Sequence, residues 1–322
     1  MKLIKTEVMA LIVLLLPACT SSKTSFKTLD YLYSISGKYT VAGQHNKEPN
    51  AIPDKWTNEI YSITGKYPGL WSGDFLFQEE NIKNRQLMIN EAVKQWHNGA
   101  IINLMWHACN PAFAEPCAWD SAGIMSHLTD EQWKELITDG TPLNDSWKKR
   151  MDQVAVFLQE LEDKGVEVLF RPLHEMNQGA FWWGGRKGPD GTAALYRITH
   201  DYFTRTKGLE NIIWVWDMQD MSRDFAEYNP GDSYWDVFGF DVYDKGYDAS
   251  WYQYILPIAG DKPMAIGECA KLPSPGVLAA QPRWTFFMVW AELVVESNTR
   301  EEILRIYNAP AVLTRDELPG WK

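Results

Sequence analysis

The stretch VEVLFRPLHEMNQGAFWWGG, residues 166–185, decides the fold. It begins as a short run of apolar and β-branched residues and ends in a loop rich in glycine and aromatic residues. This pattern predicts a buried strand that passes into an open loop. His174 and Glu175 stand where the strand becomes the loop. Because the chemistry of parallel α/β barrels lies at the carboxyl ends of the strands, Glu175 is a candidate catalytic carboxylate.

The same stretch argues against two other kinds of site. His174 and Glu175 do not belong to the H-E-x-x-H zinc motif, because Gln178 stands where the second histidine would be. The glycines of residues 184–188 have neither dinucleotide-binding nor P-loop spacing, so no phosphate site is expected. A structural alternative to catalysis stays open, in which Glu175 only pairs with a neighbour such as Arg171.

Strands and helices alternate on both sides of this stretch. Eight strands are predicted, at residues 39–45, 67–74, 100–107, 166–174, 211–217, 235–243, 262–268 and 283–290. Helices are predicted at residues 29–36, 81–97, 130–138, 145–164, 192–206 and 251–258. Gly99, Gly165 and Gly208 follow three of these helices, where a helix stop is expected. This order predicts a single α/β domain, a (β/α)₈ TIM barrel, with a doubly wound sheet as the alternative.

A second carboxylate stands at the end of the seventh predicted strand, in the segment KPMAIGECAK. Glu268 follows Gly267 there, while Glu175 follows the fourth strand. Strands four and seven face each other across an eight-stranded barrel, so the two carboxylates are expected to oppose each other. Glycosidic cleavage requires such a pair, one acid for the leaving oxygen and one base or nucleophile. A separation of about 5–5.5 Å favours retention of configuration, and about 6.5–9.5 Å favours inversion.

Polar and aromatic residues mark the other predicted strand ends. They are Trp71, Asp74, Trp106, His107, Trp214, Trp216, Asp217, Asp241, Tyr243 and Trp290. Each of them alone is explained more readily by packing than by function. Their concentration at one end of the barrel, with Trp182 and Trp183 in the loop after strand four, favours a sugar-binding cleft. Indole rings offer sugars a flat apolar surface, and the chain has 16 tryptophans.

Composition narrows the class of partner. The 322 residues are 45% hydrophobic and carry a net charge of −11. That length suits one barrel domain. The negative charge disfavours nucleic acid, whose phosphates would repel the protein. The charge says little about a neutral substrate.

The amino terminus has the pattern of an export signal. Lys2 and Lys5 precede an apolar run over residues 8–16, which is too short for a spanning helix. The following LPAC resembles a bacterial lipobox, which implies that Cys19 is lipidated. We therefore expect a signal peptide over residues 1–18, a polar tether over 19–28 and one catalytic domain over 29–322. A plain cleaved signal is the alternative; either way the protein is exported, and a lipid anchor is its only expected contact with a membrane.

The longest interruption, residues 108–144, follows the third strand and is expected to wall one side of the cleft. Cys109 and Cys117 stand in it and could form a loop disulfide in an oxidising compartment. Cys269 is expected to be a small buried hydrophobic residue. No spacing predicts a metal site, and no cofactor is expected.

Several motifs together resemble glycoside hydrolase family 26. They are RPLHEMN followed by FWWG, the downstream IGE, and the early YLYSISGKY with GQHN. The resemblance extends through KGLENIIWVWD and WDVFGFDVYD to IYNAPAVLTRDELP, nearly the whole mature chain. It implies a (β/α)₈ barrel with retaining chemistry, and the best-known members of the family are endo-β-1,4-mannanases. The partner that the resemblance implies is a β-linked polysaccharide or oligosaccharide of the mannan type.

The resemblance also implies roles for individual residues. Glu175 would be the acid/base and Glu268 the nucleophile. The implied substrate-binding or supporting residues are His107, His174, Tyr243 (as donor to the nucleophile) and Trp290 (as the floor of the cleaved sugar's subsite). An apolar neighbourhood is expected to raise the pKa of Glu175, while hydrogen-bond donors keep Glu268 ionised.

Two positions depart from the family pattern. Ala180 stands where a tryptophan is common, although Trp182 or Trp183 could supply the ring, and Ala291 followed by Glu292 replaces a basic residue. Both positions concern sugar subsites, so hydrolysis of β-1,3-xylan or mixed-linkage β-glucan stays open beside mannan. A surface protein that binds glycan without cutting it is a further alternative, against which the paired glutamates argue.

Overall fold

Eight parallel strands close into a barrel in which the first strand pairs with both the second and the eighth. The computed structural model describes residues 24–47, 49–243 and 245–321. The strands are β1 (Thr40–His45), β2 (Leu70–Asp74), β3 (Ile101–Trp106), β4 (Val168–Pro172), β5 (Ile212–Gln219), β6 (Val237–Val242), β7 (Met264–Cys269) and β8 (Trp284–Val289). A short strand β9 (Val312–Leu313) adds to β1. The barrel predicted from the sequence is confirmed.

Helices lie between the strands and complete the β-then-α order. They are α1 (Lys27–Ile35), α2 (Lys55–Thr64), α3 (Glu79–Lys83), α4 (Arg85–His97), α5 (Asp130–Leu136), α6 (Pro142–Asp163), α7 (Thr192–Asp201), α8 (Ala249–Ala259), α9 (Pro275–Ala280), α10 (Leu293–Glu296) and α11 (Arg300–Tyr307). Every residue of β1 to β8 except Gln219 is at least nine-tenths buried. Such burial is expected of strands that are covered on both faces.

The eight predicted strands all overlap the observed ones, and their bounds differ by three residues or fewer. The end of β4 shows why they differ. The apolar run continues to Leu173, but the strand stops at Pro172 because Leu173 and Glu175 have φ values of +53° and +51°. A strand cannot continue through the left-handed region. The chain turns there and carries Glu175 out of the barrel wall.

Two predicted helices differ from the structure in kind. The helix predicted at residues 81–97 is two helices, α3 and α4, separated at Asn84, whose side chain donates to the carbonyl of Glu80 at 2.9 Å. The helix predicted at residues 192–206 is α7 followed by a π-helical turn, Tyr202–Thr206. The three expected glycine stops, Gly99, Gly165 and Gly208, all have positive φ.

The first helix begins two residues earlier than predicted, at Lys27. The backbone N–H groups of Lys27 and Thr28 donate to the Glu167 carboxylate at 2.9 and 2.7 Å. A carboxylate at this place satisfies donors that a helix start leaves open. Residues 27 and 28, expected in the tether, therefore belong to the barrel. The predicted signal peptide and Cys19 lie outside the described residues.

The cysteines behave as the sequence allows. Cys109 and Cys117 form a disulfide in the loop between β3 and α5. Cys269 is buried and free, and burial raises the pKa of its thiol to about 12. In the part of the chain that the structure describes, no helix has the length and apolar character that crossing a membrane requires.

Candidate active site

Glu175 and Glu268 meet at the carboxyl end of the barrel. Glu175 follows β4, and Glu268 is the fifth residue of β7. Three carboxylate oxygens, one each from Glu175, Glu268 and Asp241, lie within 4.8 Å of one another. Both glutamates are more than nine-tenths buried. The structure thus brings the two candidate catalytic carboxylates into one site.

One guanidinium binds three carboxylates of this site. Arg171 of β4 is fully buried and binds Asp217 at 2.8 Å, both oxygens of Asp241 at 2.9 Å and Glu268 at 3.2 Å. Among the described residues it makes no hydrogen bond to Glu175, so the structural alternative, a pair between Arg171 and Glu175, is not observed. Burial alone would lower the pKa of Arg171, but the three carboxylates hold it above its usual value. The guanidinium stays charged and satisfies this cluster of anions.

Two glycines make room for the network. A Cβ atom at Gly239 would overlap Asp217 Oδ2, and one at Gly267 would overlap oxygens of both Asp217 and Asp241. No other residue type fits at either position without moving a carboxylate. Steric hindrance therefore explains why a glycine, Gly267, precedes Glu268 in the sequence.

The environments of the two glutamates separate their proton affinities. Burial raises the pKa of Glu175 well above its ordinary value, and the charge of Glu268 adds to the rise. Burial also raises the pKa of Glu268, but Arg171 and the Tyr243 hydroxyl, which donates to Oε2 at 2.7 Å, oppose the rise. Burial and the charge of Glu268 raise the pKa of Tyr243, so its hydroxyl remains a donor. The two carboxyl groups thus differ in their surroundings, because Arg171 and Tyr243 donate hydrogen bonds to Glu268 and not to Glu175.

A second network lies across the barrel mouth, on β1 to β3. His107 Nδ1 lies 2.6 Å from Asp74 Oδ2, and His45 Nε2 lies 3.7 Å from the same oxygen. Burial alone would raise the pKa of Asp74, but the two imidazoles hold it well below its ordinary value. Burial lowers the pKa of His174 well below its ordinary value, helped by the neighbouring His107. His174 is therefore uncharged beside the acid that follows it.

Aromatic rings line the walls of the cleft around these carboxyl groups and histidines. Trp290 stacks on His45 with ring centroids 4.3 Å apart and remains partly exposed. Phe181 stacks on Trp183 at 4.5 Å, and Trp119, which is 41% exposed, packs edge-on against His107 at 5.1 Å. Neither Phe181 nor Trp119 was among the predicted site residues. Phe181 stands inside the FWWG motif, whereas Trp119 lies in the loop after β3 and has no local signal.

Three tryptophans and one aspartate predicted to contact substrate are buried and bind other parts of the protein. The indole N–H of Trp182 donates to Ala108 and that of Trp71 to Pro53, and both rings are buried. Trp183 is fully buried under Phe181 and donates to the backbone of His174 at 2.9 Å. Asp74 is fully buried and hydrogen-bonds the His107 ring. A sequence shows that such residues are near the site, but not which side of the backbone they occupy.

A (β/α)₈ barrel with two buried carboxyl groups close together at the carboxyl ends of its strands, in a cleft lined by rings, has the architecture of a glycoside hydrolase. The model of glycosyl hydrolase family 26 matches residues 18–317. The chain therefore belongs to glycosyl hydrolase family 26.

Two curated relatives give the scale of the similarity. A mannan endo-1,4-beta-mannosidase of Thermothelomyces thermophilus is 31% identical over 317 residues, which cover 91% of this chain and 61% of the relative. The enzyme of the same name from Bacillus subtilis strain 168 is 30% identical over 257 residues, covering 72% of this chain and 68% of the relative. This chain thus spans about three fifths of the length of the Thermothelomyces protein.

Solved structures agree with this similarity. The GH26A structure from Muricauda sp. MAR_2010_75 superposes with a TM-score of 0.85 at 35% identity, covering 90% of this chain and 96% of that one. A beta-mannanase from a symbiotic protist of the termite Reticulitermes speratus, complexed with gluco-manno-oligosaccharide, has a TM-score of 0.78 at 27% identity, covering 90% and 93%.

Proposed function

We propose that the protein is a retaining endo-β-1,4-mannanase in which Glu175 is the acid/base and Glu268 the nucleophile. The observation that carries this proposal is the pair of buried carboxyl groups whose oxygens approach within 4.8 Å and whose pKa values differ. An approach of this kind suits the ~5–5.5 Å between the carboxyl groups of retaining enzymes better than the ~6.5–9.5 Å of inverting ones. The relatives named as mannan endo-1,4-beta-mannosidases support the substrate class.

The geometry supports a two-step reaction. Glu268 attacks the anomeric carbon while Glu175 gives its proton to the leaving oxygen, and a glycosyl ester forms. Glu175, now ionised, then takes a proton from water, whose oxygen attacks the same carbon and releases Glu268. Arg171 and Tyr243 hold the two oxygens of Glu268 and aim it. Trp290, which His45 supports, offers a flat face to the sugar.

The test is turnover of galactomannan and glucomannan by purified protein, with product sizes and the anomer formed followed over time. We expect Glu175→Ala to lower turnover about 10²–10⁴-fold, the usual loss for a general acid, and Glu268→Ala to abolish it. Glu91→Ala is the matched control, because Glu91 is a buried glutamate of α4 that binds Lys94 and Gln95 far from the cleft. Wild-type turnover in either catalytic variant would remove the role given to that residue.

The same measurement separates the alternatives. Ala180 and Ala291 offer only methyl groups where ring or cation contacts with sugar are common in the family, so a panel of β-1,3-xylan and mixed-linkage β-glucan belongs beside mannan. Turnover of β-1,3-xylan or mixed-linkage β-glucan, without turnover of mannan, would change the proposed substrate and keep the proposed mechanism. Binding of glycan without any product would instead support a surface glycan-binding protein.

Export as a lipoprotein is part of the proposal. The charged start, the apolar run and Cys19 support it. Expression in a bacterial host with labelled palmitate is the test: label is expected in the wild type and not in Cys19→Ser. Label in neither protein, with the chain still exported, would support a plain cleaved signal.

A further inference from the structure

Gln178 touches the acid/base carboxyl directly. It lies three residues after Glu175, is more than nine-tenths buried, and donates from Nε2 to Glu175 Oε2 at 2.7 Å. Its other amide atom, Oε1, accepts the backbone N–H of Ala180 at 2.6 Å. Because that N–H can only meet an acceptor, the amide has one orientation, with the NH₂ group toward Glu175.

The loop that carries Gln178 is fixed by other contacts. The side chain of Asn177 exchanges two hydrogen bonds with the backbone of Gln219, at 2.9 and 2.8 Å. Gly185 donates to Met176 at 2.9 Å and closes the loop behind them. The Gln178 side chain is therefore not needed to anchor the loop to the barrel, and its donor is spent on the carboxyl group.

This hydrogen bond distinguishes the two oxygens of Glu175. A carboxylic acid has one oxygen that carries the proton and one that accepts. Oε2 accepts the N–H of Gln178, as the carbonyl oxygen of a carboxylic acid does, and this bond therefore favours the proton on Oε1. Among the described residues the structure records no hydrogen bond to Oε1, which leaves that oxygen for the substrate.

We propose that Gln178 is a positioning residue that fixes the acid/base of this enzyme with its proton on Oε1, the oxygen that protonates the leaving group. The inference rests on the proposed function. In the glycosylation step the bond from the anomeric carbon to the leaving oxygen breaks, the proton of Oε1 moves to that oxygen, and a bond to Glu268 forms. Glu175 becomes a carboxylate, and the amide of Gln178 then donates to an anion. Such a bond is stronger than one to a neutral acid, so Gln178 favours the transfer.

Gln178 also acts against the other groups around Glu175. Burial and the charge of Glu268 raise the pKa of Glu175, and Asp217 adds to the rise, whereas Gln178 and Arg171 lower it. Asp241 on β6 and Tyr243, which follows β6, also interact with this carboxyl group. Loss of the amide donor should therefore move the Glu175 pKa further up while the other groups stay.

The discriminating variant is Gln178→Met, which keeps the length of the side chain and removes the donor. Its matched control is Asn177→Ala, which removes an equally buried amide of the same loop that binds only backbone. Both are assayed on mannan, whose leaving group needs a proton, and on a dinitrophenyl β-mannoside, whose leaving group does not.

For Gln178→Met we expect kcat/KM on mannan to fall about 10–100-fold, as for loss of a charge-assisted hydrogen bond, and kcat/KM on the aryl mannoside to change little. The alkaline limb of the kcat/KM profile should move to higher pH. Asn177→Ala should lose similar factors on both substrates with the limb unmoved. Equal losses on both substrates in Gln178→Met, with an unmoved limb, would reduce Gln178 to a loop brace and overturn the inference.

Two further measurements keep the test decisive. The ¹³C signal of the Glu175 carboxyl, followed by NMR against pH, should titrate at higher pH in Gln178→Met than in the wild type, whatever the substrate. If that variant does not fold, Gln178→Glu keeps the shape and replaces the donor by a second acid, and the alkaline limb should again move up. Absence of mannan turnover in the wild type would contradict the proposed function, while an unshifted Glu175 titration would contradict this inference alone.

Discussion

The two halves of the barrel mouth bury charge in opposite ways. On β4 to β7 a single guanidinium, Arg171, is shared by three carboxylates. On β2 and its neighbours a single carboxylate, Asp74, is shared by two imidazoles. The first half has too many acids for its cations, and the second has too many bases for its acid.

This difference assigns different chemistry to each half. Where acids are in excess, burial raises carboxyl pKa values, and it does so for Glu175 without a hydrogen bond from Arg171 to oppose the rise. Where imidazoles are in excess, the carboxyl group is held ionised and serves to orient them. We therefore expect the half with β4 to β7 to carry out proton transfer. We expect the half with β1 to β3 to hold histidine rings in fixed orientations as hydrogen-bond donors.

The largest effect should follow removal of the shared cation. Arg171→Met leaves three buried carboxylates without their partner, and breaking a buried ion pair costs about 3–5 kcal/mol. Unfolding in urea at pH 7 measures this loss. The loss should shrink on acidification, because protons can then neutralise the carboxylates.

Arg85→Met is the matched control for that variant. Arg85 is also buried, but its carboxylate partner Glu115 keeps a second cation, Arg150, at 3.2 Å. Its loss of unfolding free energy should be smaller and less dependent on pH. Equal losses of unfolding free energy in the two variants would show that the three-carboxylate network contributes no more to stability than an ordinary buried ion pair.

The sequence predicted the frame of this site better than its contacts. Strand order and the position of residues at strand ends placed Glu175 opposite Glu268, because both follow from the barrel repeat. The network around Arg171 joins β4, β5, β6 and β7, and such pairings depend on which side chains point inward at the same height. Sequence therefore suggested only a local partner for Glu175.

The aromatic residues show the same limit. Trp182, Trp183 and Phe181 are adjacent in one loop, yet the two indoles are 1% and 0% exposed, whereas the Phe181 ring keeps 8% of its surface exposed. Backbone direction in a loop has no period from which this choice could be read. Trp119 reaches the site from the loop after β3, where only the fold brings it beside His107.

The next largest effect concerns the donor to the nucleophile. Tyr243→Phe removes the hydroxyl that binds Glu268 at 2.7 Å, and hydrogen bonds to charged groups contribute about 1.5–3 kcal/mol, or roughly 10–100-fold in kcat/KM. This hydroxyl lowers the pKa of Glu268, so its loss should move the acid limb of the kcat/KM profile to higher pH.

Tyr247→Phe controls for the loss of a hydroxyl nearby. The Tyr247 hydroxyl donates to the backbone of Lys271 and not to a glutamate. It should leave the acid limb where it is. An unmoved limb in Tyr243→Phe as well would mean that Arg171 alone keeps Glu268 ionised.

The smallest effect is expected in the histidine half. In Asp74→Asn the amide oxygen can still accept from His107, so the loss at pH 7 should be about 1–2 kcal/mol, the range of an ordinary hydrogen bond. The folded-state pKa of Asp74 lies below its unfolded value of about 3.9. Its contribution to stability is therefore present above that pH and is lost as pH falls further. The gap between wild type and variant in urea unfolding should narrow below about pH 4.

Asp236→Asn tests whether the two histidines cause the pH dependence expected for Asp74→Asn. Asp236 accepts from the backbone N–H of Trp214 at 2.8 Å, and burial raises its pKa. A carboxyl group with a raised folded-state pKa adds stability as pH falls, so the wild type should gain on this variant upon acidification, the reverse of the Asp74 case. Parallel slopes for the two variants would contradict the imidazoles as the cause, because burial alone acts on both aspartates in the same direction.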